Sequence, residues 1–173
     1  MLFGAGSLVA AVVASGLVGM VGDEARLREA IEDVGVLGPF LFVGLMVLLV
    51  PLNVPGVAFV LPATTMFGTP AGIGLSLVGG FLASAIGVVG ARRLGRDALE
   101  PRLPARVRRW EVRLAAGGFW AVVGARTFTY LLQPVDWLLG VSSMPMRTVL
   151  AGTFVGLVPP TVVIALTGGS LLG

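Results

Sequence analysis

The chain has 173 residues, of which 56% are hydrophobic and only 12% are charged, and its mean hydropathy is +0.98. An ordinary soluble domain carries about 25% charged residues, so this composition predicts an integral membrane protein. The chain contains no cysteine, histidine or lysine. That excludes disulfides, imidazole-ligated metals and nearly all catalysis based on these side chains, so we expect no enzyme, metal or cofactor.

The charges are distributed unevenly. Eight arginines and three acids lie between Arg92 and Arg113, a net charge of +5, whereas five acids and two arginines lie between Asp23 and Asp33, a net charge of −3. The positive-inside rule predicts that the Arg92–Arg113 loop is cytoplasmic and the acidic segment external. The isoelectric point near 11 comes from arginines that cluster in one loop, and membrane orientation explains that clustering. We therefore expect no nucleic-acid partner.

Residues 1–22 are uncharged and about long enough to cross the membrane once as a helix. A signal peptide is the alternative interpretation, although the segment lacks a basic start. Residues 23–33 are predicted to form an acidic outer loop, followed by a membrane domain over residues 34–173. This domain divides into a first half over 34–92, the arginine-rich loop over 93–113 and a second half over 114–173.

The first half contains 58 consecutive uncharged residues, 34–91. Three crossings would need about 60 residues without turns, so we predict one crossing and one re-entrant hairpin. The crossing is residues 72–92, in which small residues recur every four positions and allow close helix packing: Gly79, Ala83, Gly87 and Ala91. The hairpin spans residues 37–67 and is broken by proline around Asn53 to Gly56.

The second half repeats this arrangement with the opposite orientation. Only 33 residues separate Arg113 from Arg147, too few for two full crossings and a turn. We predict a second re-entrant hairpin broken near Gln133 and Pro134, then a final crossing over 148–166 kinked at Pro159 and Pro160. The Leu-x-Gly-x-Phe pattern of residues 77–81 recurs at 150–154. The predicted fold is thus an all-α integral membrane protein, an inverted repeat of two re-entrant helical hairpins plus transmembrane helices.

Arg126 is the most unusual residue, because it stands inside the apolar run 115–132. A charge near the bilayer centre costs between about 3 and 17 kcal/mol, and Asp136 is the next charge along the chain. A guanidinium suits phosphate oxygens, so Arg126 is the central residue of a candidate substrate site. The other candidates are Asp136, Asn53, Pro55, Gly56, Thr129, Gln133 and Pro134, with Thr64, Thr65 and free carbonyls at Pro55 and Pro134 also expected to line the pathway. The alternative is a structural ion pair between Arg126 and Asp136.

Several motifs resemble those of the DedA and VTT-domain superfamily, the SNARE-associated Golgi protein family, and most closely its small bacterial TVP-type branch. The motifs are Val54-Pro55-Gly56, Phe67-Gly68, Ala91-Arg92-Arg93-Leu94-Gly95-Arg96, Arg126, Asp136-Trp137-Leu138-Leu139-Gly140 and Pro145. The resemblance covers roughly residues 37–169. The chain departs from the family pattern at Val57, where the DedA branch has an acid, at Thr129, where proline is usual, and at Asp136, which is often asparagine.

The resemblance implies movement of a phosphate-bearing lipid, polyprenyl-phosphate or phospholipid, across a bacterial inner membrane. Asp136 could then carry a coupling proton, so proton or ion coupling is a further expectation. Two other functions stay open. One is transport of a small anion or other solute, and the other is a non-transporting role in membrane homeostasis or assembly.

Overall fold

A computed structural model of the protein describes residues 35–51, 54–99, 105–130 and 134–171. The predicted N-terminal helix and acidic loop, together with Asn53 and Gln133, lie outside these residues. Within them all regular secondary structure is helical and no strand is present, as predicted. After a short 3₁₀ turn at Gly35–Leu37 the helices are α1 (Gly38–Leu49), α2 (Val57–Phe67), α3 (Thr69–Leu99), α4 (Ala105–Phe128), α5 (Pro134–Val141) and α6 (Met146–Leu171).

Two of these helices are long and apolar enough to cross a membrane, namely α3 over Thr69–Arg93 and α6 over Met146–Gly168. They correspond to the crossings predicted at 72–92 and 148–166. The α6 helix continues through Pro159 and Pro160. The α3 helix continues beyond its apolar part to Leu99, so the arginine-rich segment contains the end of α3 and the first nine residues of α4.

The short helices α1 and α2 have 12 and 11 residues, or about 18 and 17 Å at 1.5 Å per residue. The helix is interrupted between them, because Pro51 and Pro55 have no backbone N–H to donate. A tight turn at Gly68, whose φ of +79° favours glycine, then reverses the chain into α3. Gly72 allows α3 to pack directly on the backbone of Ala63 and Thr64 in α2.

The second half has the same order of short, broken and long elements. A bend at Gly118, where φ is +57°, separates the arginine-rich start of α4 from the apolar Phe119–Phe128 part. The chain leaves the helix after Phe128, and α5 begins at Pro134 and has only eight residues. The final helix α6 follows after a short connection through Pro145.

Each of the long helices α3 and α6 packs against the first helix of its own half, α1 or α4. Gly79 of α3 lies against Met46 of α1, and in α6 Gly152 lies against the Phe119 carbonyl of α4. The two residues of each pair are 33 positions apart in the sequence. One turn further along α6, Gly156 lies against Val123, which is also 33 positions before it. The second short helix of each half packs against the long helix of the other half, α5 on α3 and α2 on α6.

The helices α3 and α6 cross each other in an antiparallel manner. The rings of Phe81 and Phe154 meet edge to face with their centroids 5.5 Å apart. Gly80 faces Leu157. Ser84 lies one turn after Gly80 in α3, and Thr153 lies one turn before Leu157 in α6. Both hydroxyl groups accept hydrogen bonds from Arg126. The centre of the described structure is therefore the contact between the two long helices.

Candidate functional site

A buried charged cluster lies beside this crossing. Arg126 is 4% exposed and Asp136 is 7% exposed, and the Nη2 of Arg126 donates a hydrogen bond to Oδ1 of Asp136 within an ion pair. Nη2 also donates to the Ser84 hydroxyl at 2.7 Å, and Nε donates to the Thr153 hydroxyl at 3.2 Å. The Ser84 hydroxyl donates in turn to Oδ1 of Asp136, so four helices contribute to one network.

Small residues let the helices bring these side chains together. A Cβ on Gly156 would lie 2.5 Å from the Arg126 Cβ, so only glycine allows α6 to lie so close to α4. Gly87 leaves room for Asp136 on the α3 side, where an added Cβ would be 3.3 Å from the Asp136 Cβ. The ridge of small residues predicted in α3 is thus used for close packing, against α1 at Gly79 and against α5 at Gly87 and Ala91.

The network adjoins a cavity of about 30 Å³. Its lining residues come from both halves of the chain: Val50, Gly56, Gly80, Ser84, Arg126, Tyr130, Asp136 and Leu157. This volume is enough for a water molecule, which needs about 10–15 Å³ of such space, but not for a lipid headgroup. The described residues therefore leave too little space for a lipid headgroup beside Arg126, which has Asp136 as its counter-ion.

Tyr130, two residues after the end of α4, lines one side of this cavity. Its hydroxyl accepts a hydrogen bond of 3.3 Å from Thr161, whose hydroxyl also lies 2.7 Å from the Leu157 carbonyl. Thr127 makes a second link to α6, because its hydroxyl lies 3.2 Å from the Gly156 carbonyl. The end of α4 that carries Arg126 is thus tied to α6 by hydroxyl groups on both sides.

Three of the predicted site residues line the cavity, namely Arg126, Asp136 and Gly56. The prediction of a free carbonyl at Pro55 is wrong, because that carbonyl accepts the Ala58 amide at 3.0 Å as α2 begins. Pro134 is the first residue of α5.

The predicted threonines lie elsewhere. Thr129 faces an apolar groove on the opposite side of α4, and its hydroxyl bonds to the Ala125 carbonyl. Thr64 and Thr65 donate to Leu61 and Pro62 within their own helix, at 2.8 and 3.1 Å. None of the three hydroxyls joins the Arg126 network.

Sequence reasoning missed Ser84 and Thr153, the two hydroxyl partners of Arg126. It also treated Arg92 as one of the loop arginines. In the structure Arg92 is half-buried and donates to three carbonyls at the end of α5 and just beyond it, those of Gly140, Ser142 and Met144, at 2.9–3.1 Å. A cation at a helix C-terminus satisfies carbonyls that have no intrahelical partner. Arg92 therefore fixes the short helix that carries Asp136.

Helices that can cross a bilayer, with a buried charged network between them, are the features of a helical membrane protein. A family model described as VTT domain matches residues 54–170, which are 117 of the 173 residues. The chain therefore belongs to the VTT-domain family of the DedA/VTT superfamily, as the sequence motifs indicate. No curated protein and no solved structure matches it.

Proposed function

We propose that the protein moves a phosphate-bearing lipid across the membrane, with Arg126 binding the phosphate during passage. The observation that carries this proposal is the placement of Arg126 among hydroxyl groups and one carboxylate at the contact between the two halves of the chain. A guanidinium keeps its charge at every physiological pH and offers a planar fork of donors to phosphate oxygens. Family membership supports transport as the class of activity.

Asp136 acts as the counter-ion of Arg126 while no phosphate is bound. An unpaired arginine at this depth would be costly, and the paired form lowers that cost between transport cycles. Ser84 and Thr153 contact the same guanidinium, so they can hold it in place while the carboxylate gives way to the phosphate. Since the cavity holds only about 30 Å³, passage of a headgroup requires the two halves to separate at this site.

An inverted repeat would provide that movement, and the packing contacts support such a repeat. A shift of 73 positions relates Met46 to Phe119 and Gly79 to Gly152, and each half makes the corresponding contact. The same shift relates Phe81 to Phe154, which touch each other across the antiparallel crossing, as equivalent residues do at a two-fold axis. The α1–α2 pair, and the pair of α5 with the Phe119–Phe128 part of α4, are then re-entrant hairpins, because each of these helical segments is too short to cross a core about 30 Å thick.

The second candidate is a non-transporting role, with the Arg126–Asp136 pair as a structural contact between the halves. The small volume of the cavity favours it, because a buried pair with little space around it is also what a purely structural contact requires. Transport of a small anion is the remaining alternative. It would use the same arginine with a water-soluble substrate.

The test is transport in proteoliposomes that contain fluorescent polyprenyl-phosphate or phospholipid and, in separate vesicles, entrapped inorganic phosphate. We expect lipid movement by the wild type and a roughly 10–100-fold lower rate for Arg126→Gln, because charge-assisted hydrogen bonds are worth about 1.5–3 kcal/mol. Arg93→Gln is the matched control, since Arg93 is exposed. Movement of inorganic phosphate alone would favour the small-anion alternative, and no movement of either probe by the wild type would favour the non-transporting role.

A further inference from the structure

A second binding surface lies on the opposite side of α4 from Arg126. There α4 and α5 enclose a groove of about 530 Å³, within the 300–1,000 Å³ typical of sites for small molecules. On α4 the groove is lined by Ala121, Gly124, Ala125 and Phe128, which share one helical face. The face with Val122 and Arg126 points instead to α6. The groove is thus separate from the Arg126 site.

The lining of the groove suits a hydrocarbon chain. Its residues from α5 are Val135 and Leu138, and the hydroxyl of Thr129, the polar side chain in the lining, is occupied by the Ala125 carbonyl. Phe128 stands at one end with 90% of its surface exposed. A polar ligand would find no partner among these groups, whereas an acyl chain would bury apolar surface along the whole groove.

Positive charge stands at the other end of the groove. Its lining continues past the bend at Gly118 to Leu114. Arg113 precedes Leu114 directly, and Arg109 lies one turn earlier on the same side of the helix; both arginines are exposed. Arginines at a membrane surface attract anionic headgroups, each by about 1 kcal/mol.

We propose that the α4–α5 groove binds an acyl chain of an anionic phospholipid whose phosphate is held by Arg109 and Arg113. The apolar groove and the arginines at its end match the two parts of one lipid molecule. Binding here is independent of transport at Arg126, so a protein that moves no lipid would still hold this one.

The first test uses purified full-length protein in nanodiscs with photoreactive phosphatidylglycerol, labelled in its acyl chain. Gly124→Trp places an indole in the groove, and the groove is open at this position because a Cβ at Gly124 meets nothing within 4 Å. Gly74→Trp is the matched control, since Gly74 is equally open but lies on α3. We expect cross-linking to fall at least tenfold in Gly124→Trp and to stay at the wild-type level in the control. Equal cross-linking in both variants would overturn the proposal.

The second test separates the headgroup from the chain. Photoreactive phosphatidylglycerol competes with phosphatidylcholine, and we expect Arg109→Gln/Arg113→Gln to lower the preference for the anionic lipid roughly 30-fold, the product of two contributions of about 1 kcal/mol each. Arg93→Gln/Arg147→Gln, which removes two charges at exposed positions, is the charge-matched control. An unchanged preference in the double variant would overturn the assignment of the phosphate to these arginines.

The third test identifies the occupant directly and does not depend on the tryptophan variant folding. The natural chain contains no cysteine, so Gly124→Cys carries a unique thiol for a benzophenone probe. Mass spectrometry is expected to find a phospholipid adduct. An adduct on residues 1–34 of the same chain, or on a second copy of the chain, would overturn the proposal.

Discussion

At the scale of the residue, the free energy of unfolding depends on Arg126 and Asp136 being present together. Both are buried, and each removes most of the penalty that the other would incur alone. The pair was predictable, because a charge inside an apolar run needs a partner and Asp136 is the next charge along the chain. Ser84 and Thr153 were not, because hydroxyl groups in an apolar helix usually bond to their own backbone and the sequence does not distinguish the exceptions.

This dependence predicts the outcome of a double-mutant cycle. We expect Arg126→Leu alone to lower the free energy of unfolding by about 3–5 kcal/mol, because it leaves Asp136 buried without its counter-ion. Adding Asp136→Leu is expected to restore most of that loss, since no buried charge then remains. The measurement is equilibrium unfolding in mixed micelles, with the exposed Arg93→Leu as control. Additive losses in the double variant would argue against an energetic pair.

At the scale of the element, the short helix α5 depends on a residue from another helix. It has eight residues, too few to be stable alone, and its carbonyl end is held by Arg92 of α3. The start of α5 was predictable from Pro134, which is favoured at the first position of a helix. The role of Arg92 was not, because in sequence it is one of eight arginines in a basic segment, and only folding brings α3 beside α5.

We therefore expect Arg92→Gln to loosen α5 specifically. The loss of charge-assisted hydrogen bonds is expected to cost about 1.5–3 kcal/mol, and the amides of α5 should exchange with deuterium faster by roughly 10–100-fold. Arg93→Gln, at the neighbouring exposed position, should leave this exchange unchanged. Equal exchange in both variants would show that α5 is held by packing alone, through contacts such as Gly140 on the Val88 carbonyl.

At the scale of the whole molecule, α3 and α6 form the central crossing, and the short helices of each half pack around it. The two helices long enough to span a membrane were predictable from the uncharged stretches of sequence, and the breaks between helices were predictable from the prolines, which lack a backbone donor. The bend at Gly118 was not, since glycine is frequent throughout the chain, with 26 in 173 residues. The orientation in the membrane rests on the arginine distribution alone.

That orientation predicts which side of the membrane each terminus of the described helices faces. In intact cells, a membrane-impermeant maleimide is expected to label Val36→Cys and Thr167→Cys from outside and to label Val112→Cys only after permeabilisation. Each of these positions is exposed, and the chain has no other thiol. Labelling of Val112→Cys in intact cells would reverse the orientation, and labelling of Val36→Cys and Thr167→Cys from opposite sides would exclude the inverted repeat.

The central claim is that Arg126 binds a lipid phosphate and that Asp136 is its counter-ion between cycles. The most direct test compares Arg126→Gln with Asp136→Asn in proteoliposomes that hold equal amounts of folded protein and a fluorescent polyprenyl-phosphate. Because Asp136→Asn retains the arginine that receives the phosphate, we expect it to keep a rate within a few-fold of the wild type, while Arg126→Gln loses roughly 10–100-fold. A wild-type rate for Arg126→Gln would contradict phosphate binding by Arg126, and an equal loss in Asp136→Asn would contradict the role of Asp136 as a counter-ion only.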